Sequence, residues 1–204
     1  MRRLSAFSFW TLFGALTLVW VAMLLLGGPT SPIDRTILAA AQSAPLVPAA
    51  RLVTHLGDGW FVLGAGAAVA AAAAFLGRAR AGLLLLGTIV SGKLLVEVQK
   101  TGFDRARPDP HGHYTAVHNL AFPSGHSANA MLLFLGTAVL ATAGGRMRGG
   151  AVAAALLVVM TVGLCRLVLG VHWPSDVIGG WAFGAGWTLL LLRLAGGTPA
   201  PERH

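Results

Sequence analysis

Residues 7–27 read Phe-Ser-Phe-Trp-Thr-Leu-Phe-Gly-Ala-Leu-Thr-Leu-Val-Trp-Val-Ala-Met-Leu-Leu-Leu-Gly, with no charged side chain in the run. About 20 such residues, coiled as a helix, span the hydrocarbon core of a bilayer. Five further apolar runs follow: Trp60–Leu76, Ala81–Val98, Ser127–Ala143, Ala151–Leu169 and Val177–Leu194. The expectation is an all-α integral membrane bundle of six segments, one domain over residues 1–204. Composition agrees. Of the 204 residues, 55% are hydrophobic and 11% charged, against roughly a quarter charged in soluble domains. Mean hydropathy is +0.72. A net charge of +8 is compatible with nucleic-acid binding, but arginines flanking apolar runs suit a membrane instead, so no nucleic-acid partner is expected. The single cysteine, Cys165, excludes an intramolecular disulfide and a CxxC site. Met1-Arg2-Arg3 precedes the first run, which is longer than the core of a cleaved signal and has no A-x-A site after it; it reads as a retained anchor.

The arginines also orient the chain. With the N-terminus cytoplasmic, the inner flanks hold Arg2, Arg3, Arg78, Arg80, Arg146, Arg148, Arg193 and Arg203, whereas the connection Gly28–Gly59 holds only Arg35 and Arg51. This is the positive-inside bias of a bacterial-type inner membrane protein with both termini in the cytoplasm. Two stretches on the outer side break the bias, 100–109 and 166–176.

These belong to three polar clusters, all of which fall on the outer face in that topology. The first is Lys100-Thr-Gly-Phe-Asp104-Arg105-Ala-Arg107-Pro108. The second is Pro123-Ser124-Gly125-His126-Ser127. The third is Cys165-Arg166-Leu-Val-Leu-Gly170-Val-His172-Trp-Pro174-Ser175-Asp176. Lys100, Arg107 and Arg166 have no matching carboxylates beside them, and unpaired cations gathered at a membrane boundary call for an anion. Guanidinium forks match phosphate oxygens and lysine adds a point charge. Ser124 reads as a helix cap and Gly125 as a place where backbone N–H groups meet the anion. Asp176 lies one helical turn after His172 and orients it, leaving the other ring nitrogen as a nucleophile. His126, from another segment and with no neighbouring carboxylate, reads as the general acid for the departing oxygen. Arg105 reads as an interfacial anchor, and Pro174 as the opening of the last helix.

The clusters together resemble the three-part signature of the type-2 phosphatidic acid phosphatase superfamily: Lys, six residues, Arg-Pro; Pro-Ser-Gly-His; and Ser-Arg, five residues, His, three residues, Asp. Every position matches except Cys165, which stands where the family has Ser. The resemblance implies phosphate binding by Lys100, Arg107, Ser124, Gly125 and Arg166. It also implies a phosphohistidine on His172 assisted by Asp176, proton transfer by His126, and no metal or other cofactor. The soluble vanadium haloperoxidases share the anion pocket, but six membrane segments argue against that activity. The expected function is hydrolysis of a lipid phosphate or diphosphate (undecaprenyl diphosphate, phosphatidylglycerophosphate or phosphatidic acid) among membrane lipids, at the outer ends of the helices. The rivals are a lipid phosphotransferase and a non-catalytic anion transporter.

Other polar residues read two ways. Lys93 and Glu97 share a face with Lys100; they either act in the site or pair to position Lys100. His111, His113 and His118 read as a solvated loop without a metal-ligand set. Thr54-His55-Leu-Gly57-Asp58-Gly59 either rims the substrate entrance or caps the second segment. The Gly180-xxx-Gly184 spacing predicts close helix packing.

Overall fold

The computed structural model describes residues 5–42, 44–117, 119–142 and 145–196. Met1, Arg2, Arg3, His118, Ala143 and Arg203, named above, lie outside them. Among the described residues, eight helices follow in chain order: α1 (Ala6–Leu26), α2 (Pro32–Ala41), α3 (Val47–Thr54), α4 (Gly59–Phe75), α5 (Ala79–Phe103), α6 (Gly125–Ala141, with a π-helical stretch Met131–Leu135), α7 (Gly145–Val168) and α8 (Pro174–Gly196). The described residues contain no strand.

Serine begins three of these helices. Ser5 accepts from the Ser8 amide at 3.0 Å, Ser31 from the Asp34 amide at 3.3 Å, and Ser124 from the Ser127 amide at 3.5 Å. After α4 the chain turns at Gly77, whose φ of +71° is a left-handed conformation that costs glycine little. Asp104, at φ +48°, ends α5 in the same region, which Asp tolerates better than most side chains.

Each of the six expected segments falls on a helix, namely α1, α4, α5, α6, α7 and α8, but length alone does not give six crossings. Four helices, α1, α5, α7 and α8, are long and apolar enough to cross a membrane. A fifth candidate joins Val47–Gly57 to Gly59–Phe75 through a 50° bend, and α6 is shorter. The reason is geometric: the 17 residues of α4 rise about 26 Å, short of a core of about 30 Å. The Gly28–Gly59 connection also differs from a simple link, since it contains α2 and α3. Each places some residues in the core (Leu38; Val47 and Ala50) and leaves others exposed.

The exposed surface carries large apolar side chains on many helices, among them Leu18, Leu83, Leu94, Leu157 and Leu194. In lipid, so many exposed large apolar side chains are the expected exterior. The interior is built around α6. Val62, Leu85, Ile89, Leu132 and Leu133 form its contact with α4 and α5. Ala130, Met131, Val159, Val162 and Ala185 form its contact with α7 and α8. Small residues set the spacing of α6 and α8. A Cβ added at Gly180 would lie 2.6 Å from the Ser124 carbonyl oxygen, and one at Gly184 2.8 Å from Met131 Cβ.

Candidate functional site

The three clusters meet at the N-terminal end of α6. Lys100, in the last turn of α5, is buried, and its Nζ donates to the Leu120 carbonyl at 2.7 Å. A Cβ built on Gly125 would lie 3.8 Å from Lys100 Cε, so the first turn of α6 stands beside this amine. Ser124 is fully buried; its amide donates to the Asp176 carbonyl at 2.9 Å, which ties the start of α6 to the start of α8.

Arg107 reaches the same place from the segment after α5. Its Nε donates to the Asn119 carbonyl at 2.6 Å and its Nη2 to the Asn119 side chain, while Nη1 donates to the Val171 carbonyl. Nη1 also lies 3.0 Å from His172 Nε2. Burial lowers the Arg107 pKa to about 10, which leaves it cationic at neutral pH. Trp173 Nε1 donates to the Ala106 carbonyl at 2.9 Å and pins this segment to the head of α8. Arg166, near the end of α7, is buried. Its Nη1 donates to Thr54 Oγ1 at 3.0 Å, while its buried Nε has no partner among the described residues. An unsatisfied buried N–H costs about 1–3 kcal/mol, and the chemistry that satisfies a guanidinium is an oxyanion.

His172 sits between α7 and α8 and is buried. Its Nδ1 is 3.3 Å from Asp176 Oδ2, and the other oxygen of that carboxylate, Oδ1, accepts from Arg105 Nη1 at 3.0 Å. Asp176 Oδ2 also accepts from the Trp173 amide at 2.9 Å, half of a capping box. Burial, and then the charges of Arg107, Arg166, Lys100 and His126, hold the imidazole pKa well below its ordinary 6.5. The ring is therefore neutral and has an available lone pair.

Gly170 permits the close turn that delivers His172. Its φ is +73°, and a Cβ there would meet the Gly112 carbonyl oxygen at 2.2 Å. Cys165, the one departure from the family pattern, packs with Val47, Ala50, Leu169 and Val171 as a small apolar side chain.

Two expectations need correction. First, Arg105 is no interfacial anchor. It is buried, pairs with Asp176, donates to Ser175 Oγ at 3.1 Å and to the Met23 and Leu24 carbonyls, and lies 4.4 Å from the Phe122 ring centroid. Buried Asp34 of α2 extends this network, accepting from Ser175 Oγ at 2.5 Å and from the Ser175 amide at 3.0 Å. A buried cation needs such partners, and their scatter along the chain hides it in sequence.

Second, His126 does have a carboxylate. Its Nε2 is 2.8 Å from Asp58 Oδ1, and Asp58 Oδ2 receives His55 Nδ1 at 2.7 Å and Trp60 Nε1 at 3.1 Å. These bonds, that of His126 foremost, hold the Asp58 pKa at about 2 despite partial burial. Asp58 occupies the N-cap position of α4 but makes no side-chain cap bond. The Thr54–Gly59 stretch thus adjoins the site through both Thr54 and Asp58. Scarcity was the available signal: the chain has seven acidic residues, so each one near an apolar boundary invites a search for its partner.

Of the two readings of Lys93 and Glu97, the pair is not seen: no ion pair joins them among the described residues. Glu97 is exposed, and Lys93 Nζ would lie 2.5 Å from a Cβ at Gly59, so it reaches toward α4. In the loop, exposed His111 pairs with Asp109, and His113 Nε2 lies 3.1 Å from the Pro108 carbonyl. No group of three metal-ligating side chains occurs among the described residues.

The assembled groups can surround a tetrahedral oxyanion with three cations and the opening turn of a helix, with one neutral imidazole against it and a second close by. Comparison with known proteins agrees in both sequence and shape. The lipid A 1-phosphatase of Rhizobium johnstonii is 37% identical over 119 residues, which is 53% of this chain and 46% of that protein, so the chain spans about half the length of this relative. Phosphatidylglycerophosphatase B of Bacillus subtilis is 32% identical over 151 residues, 71% of each chain. The crystal structure of a transmembrane PAP2-type phosphatidylglycerolphosphate phosphatase from Bacillus subtilis superposes with a TM-score of 0.79 at 26% identity, covering 91% of this chain and 94% of that one. A family model described as the PAP2 superfamily matches residues 81–198, the stretch that contains all three clusters. The chain belongs to the PAP2 superfamily.

Proposed function

We propose that this protein is a membrane lipid phosphatase that acts through a phosphohistidine on His172. The observation that carries the reading is the state of that ring: Nδ1 against Asp176, Nε2 against Arg107, and a pKa held below neutrality. Nε2 attacks phosphorus while the bond to the lipid oxygen breaks and His126 gives that oxygen a proton. Water then displaces the imidazole and gives its proton to His126. Lys100, Arg107, Arg166, Ser124 and the Gly125 amide hold the phosphoryl oxygens. Arg105 pairs with the buried Asp176 carboxylate, and Asp176 stabilises the charge that grows on His172.

The named relatives act on lipid A and on phosphatidylglycerophosphate, head groups that share little beyond a phosphate on a lipid. The substrate class that follows is a lipid phosphate or diphosphate with its tail in the bilayer. The site lies outside the cytoplasm in a bacterial-type inner membrane, with Arg78, Arg80, Arg146 and Arg148 marking the cytoplasmic end, and all of α1, α4, α5, α6, α7 and α8 crossing or nearly crossing the membrane. The test uses purified protein in detergent with phosphatidic acid, phosphatidylglycerophosphate and undecaprenyl diphosphate, and no acceptor lipid. Release of free phosphate from at least one, lost in His172→Ala, is the expected result. Phosphate appearing only on an added lipid acceptor would make the protein a transferase, and full activity in His172→Ala would overturn the reading.

A further inference from the structure

Asp58 belongs to none of the three signature clusters, yet it bonds to the imidazole that the proposed reaction uses for proton transfer. The local structure holds this contact from several sides. Oδ1 meets His126 Nε2 at 2.8 Å, while Oδ2 is taken by His55 and Trp60, so the carboxylate has one orientation. A Cβ at Gly57 would lie 2.9 Å from His126 Cβ, and Asn129 Nδ2, one turn further along α6, donates to the Gly57 carbonyl at 3.1 Å. The bend between α3 and α4 is thereby fastened to the first turns of α6.

We propose that Asp58 is a positioning residue that keeps a proton on His126 Nε2 and makes Nδ1 the nitrogen that gives and takes the transferable proton. An imidazole has two nitrogens, and a bond to a carboxylate at one decides which tautomer is present. With Nε2–H committed to Asp58, the imidazolium form gives its Nδ1 proton to the departing lipid oxygen as the phosphorus–oxygen bond breaks. The neutral ring then has its lone pair on Nδ1. When water attacks the phosphohistidine, the water proton goes to that lone pair as the phosphorus–nitrogen bond breaks, and the ring is restored. Each histidine of the site thus has its own carboxylate, joined through opposite nitrogens: Asp176 to Nδ1 of His172 and Asp58 to Nε2 of His126.

The inference rests on the proposed phosphatase activity, and the test separates the two. Phosphate release from short-chain phosphatidic acid is measured for wild type, Asp58→Asn, His126→Ala and the double variant, with His172→Ala as control. Asp58→Asn is expected to lower kcat about 100-fold with KM nearly unchanged, and to have at most a twofold effect in the His126→Ala background. An equal loss in both backgrounds, or an unchanged kcat in Asp58→Asn, would overturn the role of Asp58 while leaving the phosphatase reading intact. Activity in His172→Ala would instead overturn that reading. Should Asp58→Asn fail to fold, nitrogen NMR of the histidine rings in wild-type protein decides: neutral His126 protonated at Nε2 is the expected tautomer, and a proton on Nδ1 contradicts the proposal.

Discussion

The two ends of α6 both meet arginines, and they use them in opposite ways. At the C-terminal end, Arg78 donates to the Ala141 carbonyl at 3.0 Å and to the Leu140 carbonyl, and Arg148 donates to the Thr142 carbonyl at 2.6 Å. These exposed or half-buried cations close a helix whose last carbonyls lack partners and whose dipole favours positive charge there. At the N-terminal end, Lys100 and Arg166 are buried beside Arg107, and the Arg166 Nε remains unsatisfied among the described residues. Nothing in the helix dipole favours cations at that end; it favours an anion. The same residue type thus completes the fold at one end and is held against electrostatic preference at the other, and that difference locates the chemistry.

The contrast breaks first at Arg166. Arg166→Ala should lower kcat/KM by about 10²–10³-fold with little loss of folded protein, since its guanidinium is bonded chiefly to Thr54; a variant as active as wild type would remove Arg166 from the site. Next is Arg105, which looks like a site cation but serves Asp176. Arg105→Gln leaves an uncompensated buried carboxylate, so it should destabilise the protein by about 3–5 kcal/mol as well as slow it, seen as a lower unfolding temperature in detergent. Activity loss at unchanged stability would assign it to substrate instead.

A smaller effect is expected in the pH profile. Because the folded-state pKa of His172 is depressed, its neutral form is lost only as pH falls well below 6.5. The acid limb of kcat/KM, which reports the free enzyme, should therefore inflect below that value; an inflection at 6.5 or above contradicts a desolvated nucleophile. The smallest effect belongs to the other end of α6. Arg78→Ala should leave turnover unchanged and cost about 0.5–1 kcal/mol of stability.

Sequence reached far into this molecule where the signal is local. Apolar runs show where the helices lie, and fixed spacings such as His172 to Asp176 place two side chains one helical turn apart. The short reach of α4 and α6 was harder to see, because hydropathy reports apolar content and not where a helix is interrupted. Asp58 and Arg105 were hidden for another reason. Asp58 meets His126 from 68 positions away, and Arg105 meets Asp176 from 71. No periodicity links residues brought together only by the packing of α6 against its neighbours. In the case of Arg105, a basic residue just past an apolar run has the same sequence appearance whether it faces headgroups or the core.

The central claim is that Nε2 of His172 carries the phosphoryl group. Wild-type enzyme quenched during turnover of a radiolabelled lipid phosphate, digested and analysed by mass spectrometry, should show an acid-labile, base-stable phosphoryl group on the peptide containing residue 172. Label on another residue, or sustained phosphate release with none on His172, would contradict the account.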